Sequence, residues 1–132
     1  MRMCPPPVRR TRKARPQSCG RGERYAPLVP LVEILSFQGC PNAEPALALV
    51  REVAEELGIK ATVRTVEVST PEAAELLRFL GSPSIRVDGR DVEPGADERG
   101  GFVLACRIYR TASGQAGLPE RAWARSALAA AR

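Results

Sequence analysis

Residues 36–43 read Ser-Phe-Gln-Gly-Cys-Pro-Asn-Ala (SFQGCPNA) and set Cys40 between an apolar run closing at Phe37 and a helix-like run opening near Ala43. A thiol at such a junction meets unpaired N–H donors and the positive end of the helix dipole, both of which favour the thiolate. The same residue can also pack as an inert small apolar side chain, with Gly39 and Pro41 as turn punctuation only. The flanking pattern decides the fold.

Upstream, PLVPLVEILSF (27–37) is a mostly apolar strand of the kind buried on both faces, with Pro30 confining regular pairing to the residues after it. Downstream, NAEPALALVREVAEELG (42–58) repeats Leu47, Val50, Ala54 and Leu57 at helical spacing, with Arg51, Glu52, Glu55 and Glu56 on the wet side, Asn42 as N-cap and Gly58 as the stop. KATVRTVEV (60–68) alternates as a second strand with a slip near Thr65. STPEAAELLRFLG (69–81) predicts a second helix with Thr70 as N-cap, Pro71 at its first position and a stripe of Leu76, Leu77 and Leu80. SPSIRVDGRDVEPG (82–95) reads as two short antiparallel strands about an Asp88-Gly89 turn. FVLACRIYRT (102–111) is strand-like, and LPERAWARSALAAAR (118–132) closes the chain as a helix with Pro119 in its first turn and Trp123, Ala127 and Leu128 on one side. The expected order is β-α-β-α-β-β-(β)-α, an α/β class, without an internal repeat.

The chain has 132 residues, enough for one domain, and a formal charge of +5. Residues 1–28 hold eight Lys/Arg against Glu23 alone, so the remainder carries fourteen acidic against twelve basic residues. A basic tail on a mildly acidic body does not predict a specific nucleic-acid partner, although the tail can touch polyanions weakly. Three consecutive prolines, many arginines and no apolar periodicity predict that residues 1–28 are a disordered extension, or translation from a start codon set too early, ahead of a domain over 29–132. No stretch has the apolar length of a secretory signal or a membrane span, so a cytoplasmic protein without a membrane partner is expected.

The chain contains no histidine, which removes Ser-His-Asp and Cys-His catalysis and every His-containing metal site. Cysteines at 4, 19, 40 and 106 lack the paired short spacing of a zinc site, and GADERGG (95–101) lacks a phosphate-loop lysine. Asp88 belongs to a turn, and Asp91, Glu93, Asp97 and Glu98 read as a solvated rim, so no metal and no cofactor are expected. Cys106 lies in FVLACRIYR, where it either packs inertly or gains reactivity from Arg107 beside it, and Cys4 and Cys19 belong to the tail.

The element order, the cysteine after the first strand and the Ser82-Pro83 pair before the third resemble the thioredoxin superfamily. More narrowly, EILSFQGCPNAEPAL, RFLGSPSIRVDGRDVEPGA and CRIYRTASGQAGLP are similar to small bacterial thioredoxin-like proteins, some described as selenoproteins and some labelled alkylmercury lyase. The resemblance implies a thioredoxin-like fold over residues 31–131, a cis Pro83 facing Cys40, and substrate contacts at Gly39, Pro41, Ser82 and Pro83. It departs from the family's C-x-x-C at Cys40-Pro41-Asn42-Ala43, where alanine replaces the second cysteine. The expected activity is thiol-disulfide or thiol-peroxidase chemistry at Cys40 on a protein disulfide, a peroxide or a thiol-bound small substrate, with Cys106 as the resolving thiol. A non-catalytic binding module and two-thiolate capture of mercury or copper are the alternatives.

Overall fold

The computed structural model describes residues 29–131. The expectations for residues 1–28 lie outside the described residues. Val32, Ile34 and Leu35 are buried in β1 (Leu31–Ser36), which runs through the middle of a mixed sheet. β2 (Thr62–Glu67) pairs parallel to one side of β1, from Leu31 with Thr62 to Ser36 with Glu67. β3 (Ser84–Val87) pairs antiparallel to the other side, with Ile34 opposite Ile85, and β4 (Arg90–Asp91) follows β3, giving the order β2-β1-β3-β4.

A parallel neighbour needs a crossover, which α1 (Ala43–Leu57) supplies between β1 and β2. Gly58 ends that helix at φ 67° with its N–H on the carbonyls of Ala54 and Glu55, as the sequence expectation has it. Thr70 caps α2 (Pro71–Leu76) by accepting from the Ala73 N–H at 3.0 Å, again as expected. Between β3 and β4, Asp88 and Gly89 take φ 51° and 85°, the paired positive angles of a two-residue hairpin turn.

Successive β1 residues face opposite sides of the sheet, and each side has its own core. Val32, Ile34, Ile85 and Val87 meet Ala46, Val50 and Val53 of α1, together with Ala124 and Leu128 of α3 (Arg121–Ala131). Leu35 meets Val68, Ala74 and Phe79 on the α2 side. Ion pairs of Arg121 with Glu52 and Glu56, and of Arg125 with Glu56, join α1 to α3 at the surface. The hydrogen bond from Arg121 is the main cause that holds the Glu56 carboxyl below the usual carboxylate range. Among the described residues no helix is long and apolar enough to cross a membrane.

Three expectations change. The buried face of α1 is Ala46, Val50, Val53 and Ala54, with Leu47 and Leu57 only flanking it, because the helix packs on both the sheet and α3. Leu76 is 84% exposed, since α2 stops there and Arg78 reverses the chain at φ 55°, so that Phe79 fills the core instead. FVLACRIYR is not one strand: Cys106 makes a single bridge to Ser82, and the regular pairing begins at β5 (Tyr109–Thr111), which forms a separate hairpin with β6 (Gly114–Ala116).

Candidate functional site

β1 delivers the chain to Phe37, and a turn follows in which the Cys40 N–H donates to the Phe37 carbonyl at 3.2 Å. Gly39, third in this turn, has φ 87°, a left-handed angle that a side chain would disfavour. The Cys40 carbonyl then accepts from Ala43, and Asn42 is the first residue of the α1 boundary. Cys40 therefore stands two residues ahead of the N-cap. Asn42 makes no side-chain cap; its amide instead packs at Gly117, where an added Cβ would lie 2.3 Å from Nδ2. Cys40 is 9% exposed while its neighbour Pro41 is open to solvent, so the sulfur-bearing residue itself offers little surface.

Ser82 connects the two cysteine-bearing segments. Its Oγ accepts from the Phe37 N–H at 3.4 Å on the β1 side. On its other side the Ser82 N–H donates to Ala105 O at 2.8 Å and its carbonyl accepts from the Arg107 N–H at 2.9 Å, which sets Cys106 directly beside it. The Ser82-Pro83 peptide is cis, as the resemblance implies, and both residues are buried. Cys40 and Cys106 thus belong to one end of the sheet, on either side of Ser82-Pro83, and both are free thiols. Cys106 is the exposed one of the two.

Arg107, expected beside the Cys106 thiol as an activating charge, turns inward. Its Nη1 reaches Asp91 Oδ2 at 2.7 Å and Ser84 Oγ at 2.9 Å, and its Nη2 reaches Glu93 Oε1 at 2.7 Å and Asp91 Oδ1 at 3.1 Å. The guanidinium lies 4.3 Å from the centre of the Tyr109 ring. Burial works against the cation, yet the hydrogen bonds of Asp91 and Glu93 and the surrounding charge outweigh it and raise the Arg107 pKa. Its positive charge is committed to two carboxylates. The reading of Asp91 and Glu93 as a solvated rim is corrected accordingly, because their side chains are 4% and 14% exposed.

Tyr109 completes this cluster by donating its hydroxyl to Pro83 O at 2.6 Å. Burial is the main cause that pushes its phenol well above the usual value, against the opposing pull of the Arg107 cation. A raised folded pKa means that the folded chain holds the proton more tightly than the unfolded one, so the stabilisation is full below about pH 10 and declines as pH rises further. Urea midpoints are expected to fall above about pH 10 and to fall less steeply in Tyr109→Phe. An identical alkaline slope in that variant would contradict the assignment.

Among the described residues no group of three or more His, Cys, Asp or Glu is placed to hold a metal ion. No protein-family model matches the chain, and no curated protein or solved structure matches it significantly. The fold and the site define a mixed α/β domain with two free cysteines near one end of its sheet.

Proposed function

We propose that the chain is a thioredoxin-like thiol redox protein, in the cytoplasm, that acts through Cys40 with Cys106 as its resolving thiol. The strand order β2-β1-β3-β4, with α1 and α3 on one face and α2 on the other, supports the fold side of this reading. The observation that carries the chemical side is Ser82, hydrogen-bonded to Phe37 in the Cys40 turn and to both neighbours of Cys106. Ser82 stands between the two segments, so at about 4.8 Å per strand spacing they lie about 10 Å apart, and a disulfide, which needs Cα atoms within about 7 Å, requires the segment of the exposed Cys106 to move toward the Cys40 turn.

With a peroxide as oxidant, the Cys40 thiolate attacks the O–O bond and becomes a sulfenic acid while the other oxygen leaves as an alcohol or water. The Cys106 thiol then displaces water to form the Cys40–Cys106 disulfide, and two equivalents of an external thiol reduce it. With a disulfide substrate, Cys40 forms the mixed disulfide and Cys106 releases the reduced product.

The test uses the full chain with Cys4→Ser and Cys19→Ser, exposed to peroxide in the presence of dimedone, which traps sulfenic acid. Adding Cys106→Ser is expected to place the adduct on Cys40, whereas the chain retaining Cys106 accumulates at least about fivefold less of it because resolution competes. Absence of label on Cys40, or equal label with and without Cys106, sinks the reading.

A further inference from the structure

The β3–β4 hairpin end of the sheet, opposite the end that carries Cys40, forms one wall of a cleft of about 330 Å³. Four arginines line it: Arg78 after α2, Arg86 on β3, Arg90 on β4 and Arg99 after the 3-10 turn at Ala96–Glu98. We propose that this cleft binds a small phosphate-bearing molecule, a site independent of the thiol chemistry.

The carboxylates at the cleft offset only part of this charge. Asp91 is held by Arg107, whereas Asp97, whose Oδ1 accepts from the neutral Asp91 N–H, keeps its charge and offsets one guanidinium. Arg99 pairs with Glu93, a residue that Arg107 also holds. Arg86 uses Nη2 on the carbonyls of Leu77 and Arg78, satisfying the end of α2, and has no carboxylate partner among the described residues. Arg90 is exposed, and among the described residues its guanidinium has no hydrogen bond or ion pair. Several guanidiniums around one concavity focus positive potential there, and their donor forks suit the oxygens of a phosphate. A single carboxylate would leave part of that charge uncompensated.

Arg78 gives a second, separate indication. It holds φ 55° just past the end of α2, where glycine is the favoured residue, and its guanidinium lies over the Phe102 ring at 4.8 Å on the cleft wall. The backbone conformation disfavours an arginine there, while the guanidinium is held at the cleft wall by the Phe102 ring face that it covers and by the Asp97 carbonyl, which accepts from its Nη2 at 3.4 Å. The volume is in the range of small-molecule sites and too small for a folded partner.

Calorimetric titration of the full chain at about 0.15 M salt tests the site, with inorganic pyrophosphate in one arm and glycerol 3-phosphate in the other to separate a diphosphate from a monoester ligand. Saturable one-site uptake of at least one probe is expected. Arg90→Ala and Arg78→Gly should each weaken it about tenfold, and Arg110→Ala, at an exposed position of β5 outside the cleft, should change it by less than about twofold. The Arg78→Gly variant should keep or raise the melting temperature, because glycine suits the left-handed angle. The proposal is overturned if neither probe saturates, if Arg90→Ala retains the original affinity, or if Arg110→Ala weakens binding as much as Arg90→Ala does.

Discussion

Replacing Arg107 by alanine is expected to destabilise the domain by about 3–5 kcal/mol, because the substitution leaves charges buried without their partner. Asp91, with its side chain 4% exposed, and Glu93, at 14%, would lose the cation that both of them bind. The Tyr109 ring would lose the guanidinium 4.3 Å from its centre, and Ser84 Oγ would lose a donor. The loss is a large part of the total stability of an ordinary domain, and for about 100 residues it corresponds to a melting temperature lower by on the order of 15 °C. Thermal unfolding followed by circular dichroism measures it. A change below about 1 kcal/mol would place Asp91 and Glu93 in solvent, in conflict with their packing. Arg107→Lys should recover only part of the loss, since an ammonium lacks the fork that reaches both carboxylates.

Gly81→Ala is expected to cost about 2–4 kcal/mol and, unlike an ordinary surface change, to loosen the Cys106 segment. Gly81 has φ 123°, and a Cβ there would lie 2.8 Å from Arg107 Cβ and 2.9 Å from its Cα. The obstruction comes mainly from the backbone side of Arg107, so a rotamer change does not relieve it. The two hydrogen bonds that join Ser82 to Ala105 and Arg107 follow immediately after Gly81 and would have to lengthen. Denaturant unfolding reports the cost, and hydrogen exchange at the Arg107 amide reports the loosening. An alanine tolerated within about 0.5 kcal/mol with unchanged exchange would contradict the close approach.

The elements legible in the sequence are those specified by local chemistry. Thr70-Pro71 starts a helix, Gly58 ends one and Asp88-Gly89 turns a hairpin, each through backbone geometry contained within a few residues. The Arg107 cluster escaped because its members come from β3, β4, the segment after β4 and β5, and no local pattern joins them. One signal was available: Asp91 and Glu93 are two residues apart, and such a pair in extended chain points to one side. Near a turn and among other acidic residues, it reads as a solvated rim instead. The apolar alternation in FVLACRIYR misled for a related reason. Arg107 is drawn inward by two carboxylates and Ile108 is left 63% exposed, an inversion of what hydropathy alone predicts.

The placement of the candidate thiols divides in the same way. The turn that carries Cys40 follows from the strand, Gly39 and the following helix, all adjacent in sequence. The position of Cys106 depends on Ser82 pairing with a distant segment, a contact that no pattern in the sequence announces. The arginine cleft is likewise assembled from four separate segments and has no motif of its own.

Peptide mapping of the full chain, carrying Cys4→Ser and Cys19→Ser and oxidised with one equivalent of peroxide, decides whether Cys40 and Cys106 act as one redox pair. A reducible intramolecular link is expected between the peptides containing Cys40 and Cys106, formed at a rate independent of protein concentration and abolished by Cys106→Ser. Oxidation that yields only intermolecular dimers, or that leaves both thiols alkylatable in the folded monomer, would contradict it.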